Sequence, residues 1–444
     1  MKSNDGSEVL RPVARVRGGV KVPHRKNTAS IKPVRISIPE RVVLPMRQHI
    51  GAPCEPLVKI GDKVAVGQPI GDTSAFVAAP IHASVSGTVI SLSPVKLSNG
   101  TVGSAVTIQS DGLMTEWEGI APPEVNDTKS FLSAVRASGL VGLGGAGFPT
   151  HVKLSLKPGA KVDTLIVNAA ECEPYITVDY RQCIDEPADV LGGIYALMEY
   201  IGFTQVIIAV EDNKPDAISI LNDIAQSDLG DGNKIRLMTL KSQYPQGAEK
   251  MMVLSTTGRK VPPGGLPSDV GCVVMNVGSV AFISRYLRTG KALVSRTMTV
   301  DGSAIAKPQN VRVPIGISIR EVIDFCGGFK CEPYKLITGG PMMGVAIYSE
   351  DFPVLKQNNA ILALGKGQVK EKKTVDCIRC GRCSRVCPMY LAPTLIKDGV
   401  KTGDKEQLLK LGTASCMECG SCAYACPSGI PLVQYMRRAK ELIK

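Results

Sequence analysis

Aromatic residues are scarce in this sequence, and long hydrophobic runs are absent. Only 5% of its 444 residues are aromatic, and the basic residues are not interleaved with them, which argues against a nucleic-acid surface built on base stacking. No apolar stretch approaches the roughly 18–20 residues that span a bilayer. The polar residues 1–5 do not resemble a signal peptide. We therefore expect neither a membrane-spanning segment nor an export signal.

Positive charge is in excess, with 52 Lys and Arg against 40 Asp and Glu. Much of the excess lies before residue 50, and more of it flanks two cysteine runs near the end: Lys370, Lys372, Lys373, Arg379, Arg382 and Arg385. Such a rim suits an acidic electron carrier or the anionic inner face of a membrane. A generally solvated basic surface is the alternative. Fourteen cysteines without an export signal indicate a reducing compartment.

The two cysteine runs carry the most specific chemical signal. Each reads C-x2-C-x2-C-x3-C-P, over residues 377–388 and 416–427, a spacing typical of ligands for [4Fe–4S] clusters. In this pattern three close thiolates serve one cluster, and the fourth, before proline, serves the other. We assign Cys377, Cys380, Cys383 and Cys426 to one cluster, and Cys416, Cys419, Cys422 and Cys387 to its neighbour. The alternatives are a pair of zinc sites or a disulfide framework, but zinc normally takes two cysteine pairs per ion and has no use for a run of four before proline.

The hydrophobic pattern divides the chain into an arm and four domains. Residues 1–40 form a basic, proline-interrupted arm that we expect to lie over another domain. Residues 41–112 contain short β-type runs and resemble the barrel-sandwich fold of biotinyl and lipoyl carriers. Those carriers need a lysine at a hairpin tip, whereas the tip here, residues 72–77, has none. We therefore expect a structural or docking role for this barrel-sandwich domain.

Residues 128–290, the α/β domain, alternate between helix and strand patterns. Helices are predicted over 129–138, 187–201 and 215–227, and strands over 161–167, 205–210 and 234–240. This alternation predicts a parallel sheet covered by helices. Residues 291–345, the β-grasp domain, read as strands with one short helix. A charged linker, residues 365–373, then leads into the cysteine domain, residues 366–444, which ends in a predicted basic helix over 434–444.

Two segments of the α/β domain could bind a cofactor. Residues 142–147 match G-x-G-x-x-G, but a helix precedes them and the next strand comes late, so the dinucleotide fingerprint fails on context. Their bare backbone could still approach a phosphate or a flat ring, although a loop that merely turns is the alternative. Residues 168–175 follow a buried strand, at the sheet edge where such folds bind ligands. Their carboxylates could bond a flavin or a ribose; the alternative is a solvated acidic turn.

Four segments together resemble the flavin-site segments of the NADH-oxidising flavoprotein subunit of respiratory complex I: residues 144–150, 168–174, 244–249 and 275–278. Over nearly the whole chain, the order of domains is similar to that of the RnfC family of the ion-pumping Rnf ferredoxin:NAD+ oxidoreductases. The resemblance implies a multidomain α/β and β fold. Its parts would be a barrel-sandwich hybrid, a parallel-sheet flavin and NADH domain, a β-grasp (SLBB) domain and an α-helical ferredoxin-like domain with two [4Fe–4S] clusters.

The resemblance also implies site residues and cofactors, namely FMN, NAD(H) and the two clusters. FMN would lie on Gly142, Gly144, Gly145, Gly147, Asn168, Glu171, Gly247, Glu249 and Asn276. NADH would lie near Phe148, Lys153 and Glu173. A flavin exchanges a hydride with NAD(H) and passes single electrons onward, so no catalytic acid, base or nucleophile is expected of the protein. His49, His82 and His151 are accordingly interpreted as structural.

The implied partners are the other subunits of a membrane redox complex and a ferredoxin-like or flavin-bearing electron partner, with no nucleic acid. The implied location is cytoplasmic and peripheral, on the inner face of the cell membrane. The sequence departs from the pattern at Leu143, where complex I proteins have arginine, and over residues 18–23. These departures leave open a soluble RnfC-like adaptor that feeds a dedicated reductase of the amino-acid or cobalamin type.

Overall fold

The computed structural model describes residues 9–13, 16–97, 100–157, 159–227, 234–369 and 372–444. The first eight residues of the predicted arm, its residues 14–15, and residues 370–371 of the predicted linker lie outside this description, as does the predicted rim residue Lys370. Within the described ranges, no helix is both long enough and apolar enough to cross a membrane.

The barrel-sandwich domain consists of two small antiparallel sheets. After a short strand of the arm, β1 (Val34–Arg35), its strands are β2 (Arg41–Pro45), β3 (Glu55–Pro56), β4 (Lys63–Val64), β5 (Pro69–Asp72), β6 (Ile81–His82), β7 (Gly87–Lys96) and β8 (Val102–Ser110). The strand orders are β2-β8-β7-β4 and β3-β5-β6. At the hairpin tip, Asp72 accepts two hydrogen bonds from Arg136 of the α/β domain, at 3.0 and 2.7 Å. The tip is therefore docked on its neighbour, as expected.

The α/β domain has the predicted parallel sheet, in the order β11-β10-β9-β12. Its elements are α1 (Thr128–Ala137), α2 (Thr150–Leu154), β9 (Thr164–Ala169), α3 (Val178–Asp185), α4 (Pro187–Ile201), β10 (Gln205–Glu211), α5 (Pro215–Ser227), β11 (Ile235–Leu240), α6 (Glu249–Thr257), β12 (Cys272–Asn276) and α7 (Val277–Thr289). Helix α4 begins with proline and ends at Gly202, whose left-handed backbone closes the last turn. These signals explain why the sequence predicted its bounds correctly.

The β-grasp domain is a mixed sheet with one helix packed on it. Its elements are β13 (Ser295–Asp301), β14 (Gln309–Pro314), α8 (Ile319–Phe325), β15 (Lys335–Thr338), β16 (Val345–Ile347) and β17 (Ala360–Leu364), and the strand order is β1-β14-β13-β17-β15-β16. The buried strand β17 lies between β13 and β15, so the sheet extends beyond the predicted 291–345. Its partners are distant in sequence, so local pattern gives no sign that β17 belongs to this sheet.

The cysteine domain is helical. It contains α9 (Arg382–Arg385), α10 (Pro393–Thr402), α11 (Lys405–Lys410), α12 (Ser421–Ala425) and α13 (Leu432–Ile443), the last close to the predicted basic helix. Helices α9 and α12 occupy equivalent places in the two cysteine runs, in agreement with an internal duplication. A small apolar core of Leu391, Ile396, Leu408 and Met436 holds α10, α11 and α13 together.

The described part of the arm joins three domains. Leu10 and Val20 make backbone bridges to Met238 and Tyr244 of the α/β domain. The amide of Gly19 donates a hydrogen bond of 2.8 Å to the carbonyl of Val386 in the cysteine domain. Strand β1 pairs in parallel with β14 of the β-grasp domain. The arm thus lies over other domains, as the sequence predicted.

Candidate functional site

The glycine loop, residues 142–147, connects α1 to α2 and leaves its backbone open. The amide of Gly142 donates to the carbonyl of Phe148 at 2.8 Å, which closes the base of the loop. Gly144 and Gly145 are exposed, and Gly145 has a φ of +133°, a conformation that L side chains rarely adopt. A Cβ atom built on Gly145 would meet no atom within 4 Å. The loop therefore offers a bare backbone surface to which a flat ring or a phosphate can come close.

Three further predicted FMN residues meet at the carboxyl edge of the sheet. Asn168, the penultimate residue of β9, lies opposite Asn276, which ends β12. The Asn168 side-chain amide donates to the carbonyl of Gly247 at 2.7 Å. A Cβ atom on Gly144 would lie 3.5 Å from Cβ of Asn276, so the glycine loop borders the same edge. The structure therefore brings Gly144, Asn168, Gly247 and Asn276 together.

Glu171 is buried, and its carboxylate contacts backbone amides of the chain rather than an open pocket. Its carboxylate accepts hydrogen bonds from the amides of Asp179, at 2.7 Å, and Tyr180, at 3.4 Å, where α3 begins. Burial raises the pKa of this carboxyl, and the nearby Lys26 opposes that rise. The Lys26 ammonium, from the arm, donates to the carbonyls of Glu171, Glu173 and Ile176 at 2.9, 2.9 and 2.5 Å. Lys26 thus fixes the shape of this segment, a role that sequence reasoning missed.

The predicted NADH residues are held by different parts of the chain. Lys153 forms an ion pair with Glu249, one of the predicted FMN residues, and donates to the carbonyl of Val274 at 3.1 Å. The Glu173 carboxylate accepts from the amides of residues 342 and 343 in the β-grasp domain, at 3.0 and 2.8 Å. Burial raises the pKa of Glu173 to about 7. Phe148 is half-buried beside the glycine loop.

The three buried histidines lie behind the glycine loop. Burial lowers the pKa of His82 to about 3 and that of His49 to about 4, so both rings are neutral at physiological pH. His151 Nε2 lies 3.2 Å from the carbonyl oxygen of Phe76 at the docked hairpin tip. The amide of Ile50 donates to the carbonyl of Gly147 at 3.1 Å. These contacts hold the loop against the barrel-sandwich domain and give the histidines a packing role.

The eight predicted cluster ligands lie in two groups within the cysteine domain. Cys387 of the first run lines one largely apolar cavity together with Cys416, Cys419 and Cys422 of the second. Cys426 of the second run packs in one cluster with Cys377 and Cys383 of the first, and Cys422 lies between the two groups because it contacts this cluster as well, while Cys380 is exposed. Within the described ranges, no three potential ligands converge on a point that one metal ion could fill. Four thiolates spaced around a cavity suit a cubane, because each thiolate binds a different iron.

Tyr244 connects the predicted flavin edge to the cavity lined by Cys387, Cys416, Cys419 and Cys422. Its side chain is 1% exposed, and its hydroxyl donates to the carbonyl of Cys419 at 2.7 Å. It lies three residues before Gly247, in the segment 244–249 that carries the resemblance. Apolar side chains of the arm and of the cysteine domain pack around it: Val20, Val22, Val386, Met417 and Ala425. The sequence singled out this segment but gave Tyr244 no role.

A second, polar cavity lies between the α/β and β-grasp domains. Leu143, Asn276 and Gly278 line it on one side, and Arg296 and Arg312 of the β-grasp sheet on the other. The sequence gave no sign of it, because its two sides come from different domains.

Comparison with known proteins places each region in a described family. The matches are to the "RnfC Barrel sandwich hybrid domain" over residues 14–113, the "Nuo51 FMN-binding domain" over 135–285, the "SLBB domain" over 297–346 and the "4Fe-4S dicluster domain" over 376–430. These matches confirm the predicted fold class, an FMN-binding domain and a domain for two [4Fe–4S] clusters.

Relatives of similar length match most of the chain, and each is named as one component of an oxidoreductase complex. The component of the proton-translocating ferredoxin:NAD(+) oxidoreductase complex of Clostridium ljungdahlii is 44% identical over 386 residues, 86% of this chain and 83% of that protein. Its counterpart in the Na(+)-translocating ferredoxin:NAD(+) oxidoreductase complex of Acetobacterium woodii is 44% identical over 86% of both chains. The counterpart in the ion-translocating oxidoreductase complex of Rhodobacter capsulatus is 41% identical over 96% of this chain and 82% of that protein.

Among solved structures, an NAD+-reducing [NiFe]-hydrogenase in the H2-reduced state matches with a TM-score of 0.48 and 19% identity, over 72% of this chain and 63% of that one. This similarity is too low to carry an argument. The identity to the curated relatives and their coverage are decisive: the chain belongs to the RnfC family of the ion-translocating ferredoxin:NAD+ oxidoreductase complexes.

Proposed function

We propose that this chain is the electron-transferring flavin and iron–sulfur subunit of an Rnf-type, ion-translocating ferredoxin:NAD+ oxidoreductase. It moves electrons between NAD(H), FMN and two [4Fe–4S] clusters. The observation that carries the proposal is the meeting of the predicted flavin edge and one cysteine-lined cavity. The two are joined by the segment from Tyr244 to Gly247, through the 2.7 Å hydrogen bond to Cys419.

FMN binds where the glycine loop meets the carboxyl edge of the sheet. The exposed backbone of Gly144 and Gly145 gives a ring unhindered access. The asparagines of β9 and β12 order the same edge through their hydrogen bonds to Gly247 and Asp179. When bound, FMN converts the two-electron chemistry of NAD(H) into one-electron steps. The chain's own contribution is to hold this edge rigid, through Lys26 and the hydrogen bonds of Glu171.

NAD(H) binds beside the glycine loop, near Phe148, Lys153 and Glu173. A half-buried phenylalanine ring offers a stacking surface, and a lysine can contact phosphate. The hydrogen bonds of Glu173 tie this region to the β-grasp domain, so the domain interface supports the dinucleotide site.

The cluster held by Cys416, Cys419, Cys422 and Cys387 is the one on the flavin side, because Tyr244 contacts it. The cluster held by Cys377, Cys380, Cys383 and Cys426 is the one through which electrons pass to or from a partner. Its ligand Cys380 is exposed, and the neighbouring Arg379, Arg382 and Arg385 are exposed too. This basic rim attracts the acidic face of a ferredoxin-like or flavin-bearing partner.

The subunit works on the cytoplasmic side of the cell membrane, attached peripherally through the other subunits of the complex. The same basic rim and the arm's positive charges favour an anionic surface. The functional units of the chain are the arm of residues 1–40 and the domains 41–112, 128–290, 291–345 with the added strand β17, and 366–444.

The test is anaerobic purification followed by an absorption spectrum before and after NADH addition. We expect flavin and cluster bands, both bleached by NADH. Protein that retains no flavin and is not bleached would contradict the enzyme hypothesis. Co-purification with hydrophobic membrane subunits is expected; their consistent absence would favour the soluble adaptor that feeds a dedicated reductase.

A further inference from the structure

The polar cavity between the α/β and β-grasp domains contains more positive charge than its own carboxylates neutralise. Arg285, Arg296 and Arg312 line it, and so do Asp179 and Glu186. Arg285 forms an ion pair with Glu186, so these two charges compensate each other. The remaining charges are the guanidinium groups of Arg296 and Arg312 and the carboxylate of Asp179.

Arg296 is buried, and among the described residues Asp179 is the one carboxylate whose charge raises its pKa. Its side chain is 8% exposed, and its hydrogen bonds go to the carbonyls of Leu143 and Asn358, both at 3.3 Å. Arg312 bonds the Ser295 hydroxyl at 3.3 Å. In the part of the chain that the structure describes, no ion pair joins either arginine to a carboxylate. Burial lowers the pKa of Arg296 to about 10, which leaves it protonated at neutral pH.

Asp179 offsets only part of this charge. Its carboxylate accepts a hydrogen bond of 2.7 Å from the side-chain amide of Asn276, and burial raises its pKa. Removing a guanidinium group from water without an anionic partner is unfavourable. Three guanidinium groups around the cavity face two carboxylates, and this surplus of positive charge indicates that an anion completes the site.

The cavity borders the predicted flavin site. It is lined by Leu143 of the glycine loop and by Asn276 and Gly278, which begin the 13-residue helix α7. The amino end of a helix carries partial positive charge and favours anions. A guanidinium group matches the oxygens of a phosphate in a two-point contact, which an ammonium cannot reproduce. The arrangement thus combines two independent features that favour phosphate.

We propose that Arg296, assisted by Arg312, binds the phosphate group of FMN in this cavity, so that the β-grasp domain contributes directly to the flavin site. The inference rests on the proposed function. This phosphate contact also sets the orientation of FMN. With its phosphate beside Asn276, the ring system extends along the sheet edge past Asn168 to Gly247, towards Tyr244 and the flavin-side cluster.

The test compares FMN with riboflavin, which has the same ring and ribityl chain but no phosphate. Flavin-free, cluster-loaded protein is titrated with each compound, and the quenching of flavin fluorescence gives the two dissociation constants. For R296M we expect FMN binding to weaken about 10- to 100-fold and riboflavin binding to stay unchanged. R296K should recover part of the difference. The control R288Q changes an exposed arginine of the neighbouring α/β domain, paired there with Asp189, and should alter neither constant.

Inorganic phosphate gives a second readout on the unaltered protein. It should compete with FMN and leave riboflavin binding unaffected, and this measurement decides the matter if R296M does not fold. Equal weakening of both flavins in R296M would assign Arg296 a structural role and overturn the inference. So would unchanged FMN binding, or a loss confined to NADH. Failure of the unaltered protein to bind either flavin would instead overturn the proposed function, and this inference with it.

Discussion

Replacing Tyr244 with phenylalanine should loosen the contact between the α/β and cysteine domains. The substitution removes one oxygen atom and keeps the ring that packs against Val20 and Met417. The lost group is the hydroxyl that donates to the Cys419 carbonyl at 2.7 Å, at a site that water does not reach.

The size of the stability loss follows from the Cys419 carbonyl, which the substitution leaves without its hydrogen-bond donor. Deleting one partner of a buried hydrogen bond leaves the other unsatisfied, which costs about 1–3 kcal/mol. We therefore expect Y244F to lose about 1–3 kcal/mol of the free energy of unfolding. Because hydrogen bonds around an iron–sulfur cluster tune its potential, the flavin-side cluster should also change. The positive end of the Tyr244 O–H dipole points at Cys419, a ligand residue, so its removal should make the reduction potential of the flavin-side cluster more negative.

Urea unfolding measures the first effect, and an anaerobic redox titration followed by electron paramagnetic resonance measures the second. Y180F is a matched control, because Tyr180 also donates its hydroxyl, at 3.2 Å to Asp216, but within the α/β domain and in contact with solvent. It should leave both cluster potentials unchanged. Equal shifts of both clusters in Y244F, or no shift in either, would refute the assignment of the flavin-side cluster.

Three further predictions concern the clusters, acid stability and the arm. The double variant C416S/C387S should lose one cluster, whereas C383S/C387S should lose both. The reason is that Cys387 belongs to the first run but binds the cluster of the second run. Iron content and electron paramagnetic resonance measure the number of clusters that remain. H82Q should flatten the loss of stability that acid causes below pH 6.5. The pKa of His82 is about 3 in the folded protein and 6.5 ordinarily, so each pH unit of acidification in this range favours unfolding by about 1.4 kcal/mol. Urea unfolding at several pH values measures this slope. K26M leaves three carbonyls without their donor, and we expect about 3 kcal/mol less stability and reduced flavin content.

Each of these variants has a comparison that separates its specific effect from general damage. H24Q alters an exposed histidine and should keep the full acid sensitivity, while K21M alters an exposed lysine of the arm and should keep both stability and flavin. If the two cysteine double variants lost the same amount of iron, the exchange of fourth ligands would be wrong. If the loss of stability per pH unit were unchanged in H82Q, the burial of a neutral His82 would not explain the acid sensitivity. If K26M were as stable as the parent protein, the three hydrogen bonds of Lys26 would not stabilise the fold.

Elements with strong local signals were predictable from the sequence. Helices α4 and α5 occur at their predicted bounds, because proline begins each of them and α4 ends at a left-handed glycine. The strands of the parallel sheet are shifted by a few residues, because a buried run of apolar residues shows where a strand lies better than where it ends. The cysteine pattern alone indicated the cluster chemistry.

Contacts between domains were not predictable. Arg296 is one basic residue among many in the sequence, and only the fold places it beside Leu143. Tyr244 and Lys26 likewise act on residues more than a hundred positions away. Periodicity and motif spacing report on local geometry, so they contain no information on which surfaces of separate domains meet. The residues that the sequence missed are those whose partners belong to another domain.

The route of the arm has a consequence for biosynthesis. Val34 of β1 pairs with Val311, so its partner is made almost 280 residues later. At a translation speed of about 5–20 residues per second, the arm waits roughly 14–55 s for that strand, and longer for Val386. Until then β1 has no partner strand, although Met238 and Tyr244, which pair with Leu10 and Val20, are made earlier. The hydrogen bond to Val386 forms only after Cys377, Cys380 and Cys383 have been made, so closure of the arm over the cysteine domain is a late event in the folding of this protein.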